Sequence, residues 1–159
     1  MTTEFAESPE LATAEKPQPE AVVVRQKHTV LIIDDDDTLS EVLAYQLKQQ
    51  GFSARAAYSG RSGLEKAKAE QPAAILLDLC LPDADGLSIC EQLTDSPETC
   101  SVPILILSGR DQPGVVRQCR AAGCHYFLRK PYDPNALLVL LRQAIHDAGR
   151  HRNHRFGEE

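Results

Sequence analysis

The chain has no long hydrophobic run. Its longest unbroken apolar stretch is Ala136 to Leu141, far short of the ~20 residues a spanning helix needs. That excludes a membrane-spanning reading. The opening residues, MTTEFAESPELATAEKPQPE, are acidic and hold no apolar core, so a secretory leader is not expected. Net positive charge is also missing: 17 Lys+Arg face 23 Asp+Glu, for a formal charge of −6. Broad electrostatic capture of nucleic acid or of an anionic membrane is therefore not expected. The five cysteines, Cys80, Cys90, Cys100, Cys119 and Cys124, are odd in number and include no C-x-x-C pair. A disulfide framework and a zinc site are both poorly served by that spacing, which leaves small, half-buried, reduced thiols and a cytoplasmic location as the expectation. No internal repeat is visible.

What is present is the composition of an ordinary globular domain: 42% hydrophobic, 25% charged and 5% aromatic over 159 residues. Residues 1–27 carry three prolines, many Ala and Glu, and little periodicity. Such a segment cannot bury enough apolar surface to offset its ordering, and it reads as a flexible tail. Order is expected from His28 to residue 148, followed by a short polar tail over 149–159.

Five short apolar runs alternate with five helical patterns. The strands are expected at Val30–Ile33, Ser53–Tyr58, Ala73–Leu77, Val102–Leu107 and His125–Leu128. Helices are expected over Thr38–Gln50, Ser59–Gln71, Leu87–Asp95, Pro113–Ala122 and from Pro134 to about Ala148. In the first helix, Leu39, Val42, Leu43, Gln46 and Leu47 mark the inward face. Asp36 and Asp37 suit its N-terminus, where free N–H groups favour carboxylates. Continuous apolar strands between helices indicate a parallel sheet covered on both faces, an α/β architecture. In such sheets, ligands sit outside the carboxyl ends of the strands.

The polar residues at those ends form a set. Asp34 and Asp35 follow the first strand, Asp78 the third, Ser108 the fourth and Lys130 the fifth. Three converging carboxylates repel unless a cation neutralises them. Oxygen-only donors favour a hard ion such as Mg²⁺, which pairs a few carboxylates with waters and phosphate oxygens. A hydroxyl and an amine beside them suit an oxyanion. Phosphoryl transfer onto a carboxylate is the simplest chemistry such a site performs.

The motifs LIIDDDD, ILLDLCLPDADG, ILILSGRD and FLRKP occur in that order, with Ser108 and Lys130 lying 30 and 52 residues after Asp78. In these motifs, residues 28–147 resemble the receiver domain of two-component response regulators, of the stand-alone chemotaxis type. The resemblance implies a doubly wound, flavodoxin-like five-stranded sheet in the order 2-1-3-4-5. It implies Asp78 as phosphoacceptor, with a histidine kinase or histidine phosphotransfer protein as donor. It implies a Mg²⁺ ion held by Asp34, Asp35, Asp78 and the Cys80 backbone carbonyl. Ser108 and Lys130 would contact the attached phosphoryl group, and Ser108 with Phe127 would form the switch. The Lys130–Pro131 bond is expected to be cis.

The resemblance further implies a switch rather than an enzyme, catalysing only its own phosphotransfer and slow autodephosphorylation. A downstream protein would be met through the later strands and helices, with a phosphorylation-dependent dimer allowed. No output domain fits in the remaining residues, and no direct nucleic-acid or membrane partner is expected. Asp37 departs from the Pro often found there, and Phe127 replaces the commoner Tyr. Pro113 and Gly114 are expected to loosen the start of the fourth helix.

The bland readings run alongside. The set Asp83, Asp85 and Gly86 reads as turn chemistry, with the carboxylates accepting local N–H groups. Leu138 and Val139 are either edge-of-core residues or members of a partner surface. Arg150, His151, Arg152, His154 and Arg155 have no aromatic interleaving and read as a solvated tail. Cys80 and Arg110 flank the acidic set. Two further functions compete. The run Asp34-x-Asp36-x-Thr38 after an apolar strand also resembles the nucleophile motif of haloacid-dehalogenase-type phosphatases. That reading leaves no room for a flap and no role for Asp78. A receiver fold serving as an unphosphorylated binding module is the other, and the complete acidic set argues against it.

Overall fold

In the computed structural model, the structure describes residues 27–155. The expected tail over 1–27 and the last four residues lie almost wholly outside them. Five strands, β1 (Thr29–Ile33), β2 (Ser53–Ala57), β3 (Ala74–Leu77), β4 (Ile104–Ser108) and β5 (Tyr126–Arg129), alternate with five helices. These are α1 (Asp37–Gln49), α2 (Gly60–Glu70), α3 (Gly86–Asp95), α4 (Val115–Ala121) and α5 (Pro134–Arg155). All four strand pairings are parallel, and the order is β2-β1-β3-β4-β5.

Side-chain alternation splits each apolar strand between two cores. Leu31, Ile33, Ile75, Leu77, Ile104 and Ile106 face one cluster, which α2, α3 and α4 cover with Ala67, Ile89, Leu93 and Cys119. Val30, Ile32, Leu76, Leu105, Leu107 and Leu128 face the other, which α1 and α5 cover with Leu43, Leu47, Leu137 and Leu141. The two edge strands, β2 and β5, are mostly part-exposed.

Three local expectations are corrected. The buried face of α1 is Ser40, Leu43 and Leu47; Leu39 and Val42 are each 51% exposed. The apolar spacing admitted both phases, and the helix turns toward the sheet along the one that contains the serine. Next, α4 is shorter than expected, because Gly114 sits before it at φ 83° as its N-cap and no side chain caps it. Last, α5 runs to Arg155 rather than stopping near Ala148, so the expected boundary at residue 149 falls inside a helix. A part-exposed Gly149 costs a helix only about 1 kcal/mol, and a basic segment at a C-terminus suits the helix dipole. Arg150 to Arg155 are therefore helical, not an irregular tail.

Candidate functional site

The site is built where β1, β3, β4 and β5 end. The Asp34 N–H still donates to Ala57 O at 3.1 Å, so its side chain leaves the sheet at a fixed point. Asp34 Oδ1 then accepts from Asp36 N at 3.0 Å. Asp36 turns away: its Oδ1 accepts from Leu39 N at 3.0 Å and caps α1. Asp37 lies in the first turn of that helix. The acidic run thus divides into two cap residues and two site residues.

Asp34, Asp35 and Asp78 each bring a carboxylate oxygen within 4.8 Å of the others. Lys130 reaches over from β5, with Nζ 3.0 Å from Asp34 Oδ2 and 3.5 Å from Asp78 Oδ2. The Lys130–Pro131 bond that follows is cis, as expected. Burial raises the Asp78 carboxyl above its ordinary value, and the Asp34 charge adds to this. The hydrogen bond from Cys80 N and the Lys130 charge offset it incompletely. For Lys130, burial pulls the ammonium down, but the Asp34 hydrogen bond and the Asp78 and Asp34 charges outweigh it and hold the pKa above normal. One lysine therefore serves several carboxylates and does not neutralise them all. An all-oxygen, net-negative cluster of this kind suits a hard divalent cation.

Ser108 is fully buried, and its Oγ accepts from Arg110 N at 3.1 Å. Phe127 is half-buried against the α2–α4 side core and lies in register with Ile106, two residues before Ser108. Cys80 follows Asp78 by two residues and forms an isolated antiparallel bridge with Asp85. Every residue singled out for the site thus lies on this one edge or on the strand leading to it.

The sequence understated two neighbours. Asp83 does not serve its own turn. Its two oxygens accept from Gly60 N (2.8 Å) and Arg61 N (3.0 Å), tying the loop after β3 to the start of α2. These bonds, Arg61 first, lower the Asp83 pKa. Asp85 behaves as expected and caps α3 by accepting from Leu87 N at 3.1 Å. Arg110 bridges the rim: its Nη1 lies 3.6 Å from Asp85 Oδ1. A hydrogen bond to the Cys80 side chain raises its pKa despite some burial. Nothing in the local spacing of either residue points across the fold. Cys90 and Cys119 are buried and Cys124 half-buried, but Cys80 and Cys100 are exposed, so the half-buried expectation holds for some thiols only.

Residues 30–142 match the family model described as the response regulator receiver domain. The chain belongs to that family. This receiver domain is 34% identical over 120 residues to the transcriptional regulatory protein CseB of Streptomyces coelicolor, covering 76% of this chain and 50% of that protein. It is 33% identical over 116 residues to the DNA-binding dual master transcriptional regulator RpaA of Synechocystis, covering 73% of this chain and 48% of that protein. The chain spans about half the length of the curated relatives it matches. Among solved structures, it is similar to the chemotaxis response regulator CheY4 of Vibrio cholerae. The TM-score is 0.69 at 25% identity, covering 74% of this chain and 98% of that one. A CheY-like receiver from Methanospirillum hungatei shares the fold, with a TM-score of 0.74 at 22% identity over 79% and 98% of the two chains.

The receiver domain is a signalling switch of two-component systems. The expectation of no nucleic-acid contact gains no support, because curated relatives are named as transcriptional regulators and one as DNA-binding. Among the described residues, no helix is long and apolar enough to cross a membrane.

Proposed function

We propose that Asp78 accepts a phosphoryl group from a phosphohistidine on a histidine kinase or a histidine phosphotransfer protein. The observation that carries this reading is the cluster of Asp34, Asp35 and Asp78 around one lysine at the carboxyl edge of the sheet. An Asp78 oxygen attacks phosphorus, the P–N bond to imidazole breaks, a P–O bond forms, and the freed imidazole takes a proton. Asp34, Asp35, Asp78 and the Cys80 carbonyl would hold Mg²⁺, which supplies neutralisation of the phosphoryl charge. Lys130 positions the acceptor carboxylate and pairs with the phosphoryl oxygens. Arg110 N already draws on the Ser108 hydroxyl oxygen, which leaves the hydroxyl proton to bond the phosphoryl group.

That new bond is the switch. Ser108 moves toward Asp78, and Phe127, on the neighbouring strand, repacks into the space released. The later strands and helices then present a changed surface to a downstream protein or to a second copy. Val139, 65% exposed on α5, belongs to that surface, whereas Leu138 packs partly into the core. The chain acts in the cytoplasm, with reduced thiols, as a receiver, and it slowly removes its own phosphoryl group.

Phosphoramidate, a small P–N donor, tests the transfer step. Peptide mapping after reaction with Mg²⁺ is expected to place the phosphoryl group on Asp78. Chelation of Mg²⁺ or Lys130→Met is expected to slow the reaction by about 10²-fold. Modification mapped to any residue other than Asp78 overturns the assignment. The phosphatase reading fares worse in the fold, because Asp36 is spent on the helix cap and α1 begins directly at Asp37.

A further inference from the structure

At the edge of the sheet opposite the acidic site, the domain leaves an open groove of about 1100 Å³. It lies where β1 and β3 begin, between the turn after α1, the end of α2 and the later turns of α5. Its charged side chains are basic with one exception. Lys27 and His28 come from the start of β1, and Arg142, His146 and Arg150 from α5. The last three are four residues apart, so they share one face of the helix over about 12 Å. The exception is Glu70, which Arg55 holds, its Nη2 2.7 Å and its Nε 3.1 Å from Oε1. Among the described residues, Lys27, Arg142 and Arg150 make no ion pair. Asp147, beside His146, accepts from Gln143 Nε2 at 2.9 Å and does not line the groove.

Arg142 is held in place. Its Nη2 donates to Gln50 Oε1 at 3.2 Å, and its guanidinium carbon lies 5.8 Å from the centre of the Phe52 ring. Both partners are neutral, so the fork is positioned while its charge stays uncompensated. A planar fork already in place loses little freedom on binding, and it matches phosphate oxygens in pairs. The size of the anion follows from the rest of the chain. With a formal charge of −6, the protein repels a long polyanion, most of which would lie beyond the groove. A compact one senses chiefly the charges within a Debye length, about 8–10 Å. An acidic peptide spreads single charges along a backbone, whereas a short polyphosphate packs several into the span of the three α5 groups.

We propose that this groove is a binding site for a short polyphosphate chain, free or carried by a nucleoside, held by Arg142 and Arg150 with Lys27 at the rim. The site shares no residue with the acidic cluster and stands at the other end of the strands. Its occupancy is read by binding alone, so the proposal and the Asp78 assignment fail independently.

Inorganic tripolyphosphate is the probe, added to the full chain without Mg²⁺. Amide NMR is expected to show saturable shifts at Gly51, Ala73 and Gly149. Arg142→Gln and Arg150→Gln are each expected to weaken binding about tenfold, whereas Arg120→Gln, at an exposed position on α4, leaves it unchanged. Arg150 touches nothing that holds the fold, so its variant stands should Arg142→Gln disturb the Phe52 side. Raising salt from about 50 to about 200 mM is expected to weaken binding several-fold. Guanosine triphosphate separates the two sources: affinity equal to that of tripolyphosphate assigns the chain alone, and tighter binding assigns a nucleoside polyphosphate. Absence of saturable shifts overturns the proposal, as do shifts confined to the acidic edge or binding that survives both arginine variants. Tighter binding of hexaglutamate or of a short DNA duplex overturns the assigned ligand class.

Discussion

Lys130→Met takes the cation out of the acidic site while keeping most of the stem that carries it. The ammonium sits 3.0 Å from Asp34 and 3.5 Å from Asp78. At an effective dielectric of about 20, each contact supplies about 5 kcal/mol of gross attraction. Desolvation of the charges cancels much of it. Breaking a fully buried pair costs about 3–5 kcal/mol. The Lys130 side chain keeps 26% of its exposure, so the expected loss is lower, about 2 kcal/mol at neutral pH. For an ordered region of this size, that lowers Tm by about 6–10 °C. The loss also depends on pH. Burial already holds Asp78 above its ordinary value, and removing Lys130 raises it further. A carboxyl raised in the folded state costs stability as pH rises through the interval above its unfolded value, and that cost disappears once it is protonated. The gap between wild type and variant is therefore widest at pH 7 and narrows toward about pH 4.5. Urea unfolding at the two pH values measures it, and millimolar Mg²⁺ is expected to narrow the gap at pH 7. An equal gap at both pH values, insensitive to Mg²⁺, would refute the electrostatic reasoning and leave Lys130 a packing residue.

Three other outcomes follow from the same structure. Asp78→Asn removes a carboxylate that burial disfavours, so without divalent cations it raises Tm at pH 7 by about 3–5 °C per kcal/mol relieved; a thermal melt showing destabilisation counts against the raised pKa. A Cβ on Gly86 would lie 2.5 Å from Leu79 Cα and 2.6 Å from the Asp78 carbonyl oxygen. Gly86→Ala must push the α3 start away from the β3 loop and costs about 2–3 kcal/mol by urea unfolding, whereas Gly109→Ala, with nothing within 4 Å, changes stability by under about 0.5 kcal/mol. Iodoacetamide is expected to label exposed Cys80 and Cys100 in the native protein. It should spare Cys90 and Cys124, whose thiols burial pushes up to about 12 and about 11; mass spectrometry counts the adducts.

The sheet and its acidic edge were legible because each depends on one local feature repeated in order. An apolar run ends in a polar residue, and parallel topology delivers every such end to one side. Asp34, Asp78, Ser108 and Lys130 could be read that way with no long-range information. The phase of α1 could not, because Leu39–Val42 continues to Gln46 at helical spacing just as Ser40–Leu43 continues to Leu47. Burying Ser40 left Leu39 and Val42 half-exposed. Asp83 was misread for a related reason. An Asp in a turn ordinarily serves its own backbone, and only the packing of α2 against the loop after β3 turns it outward. The length of α5 escaped because Gly149 looks like a stop, and a lone glycine in a part-exposed turn is too weak a breaker to act as one.

The central claim is that Asp78 is the phosphoacceptor. Intact mass after incubation with acetyl phosphate and Mg²⁺, for wild type, Asp78→Ala and Asp34→Ala, tests it most directly. One phosphoryl adduct on wild type that is missing from Asp78→Ala is the expected result. An adduct that persists in Asp78→Ala and vanishes in Asp34→Ala would contradict it and move the nucleophile to the end of β1.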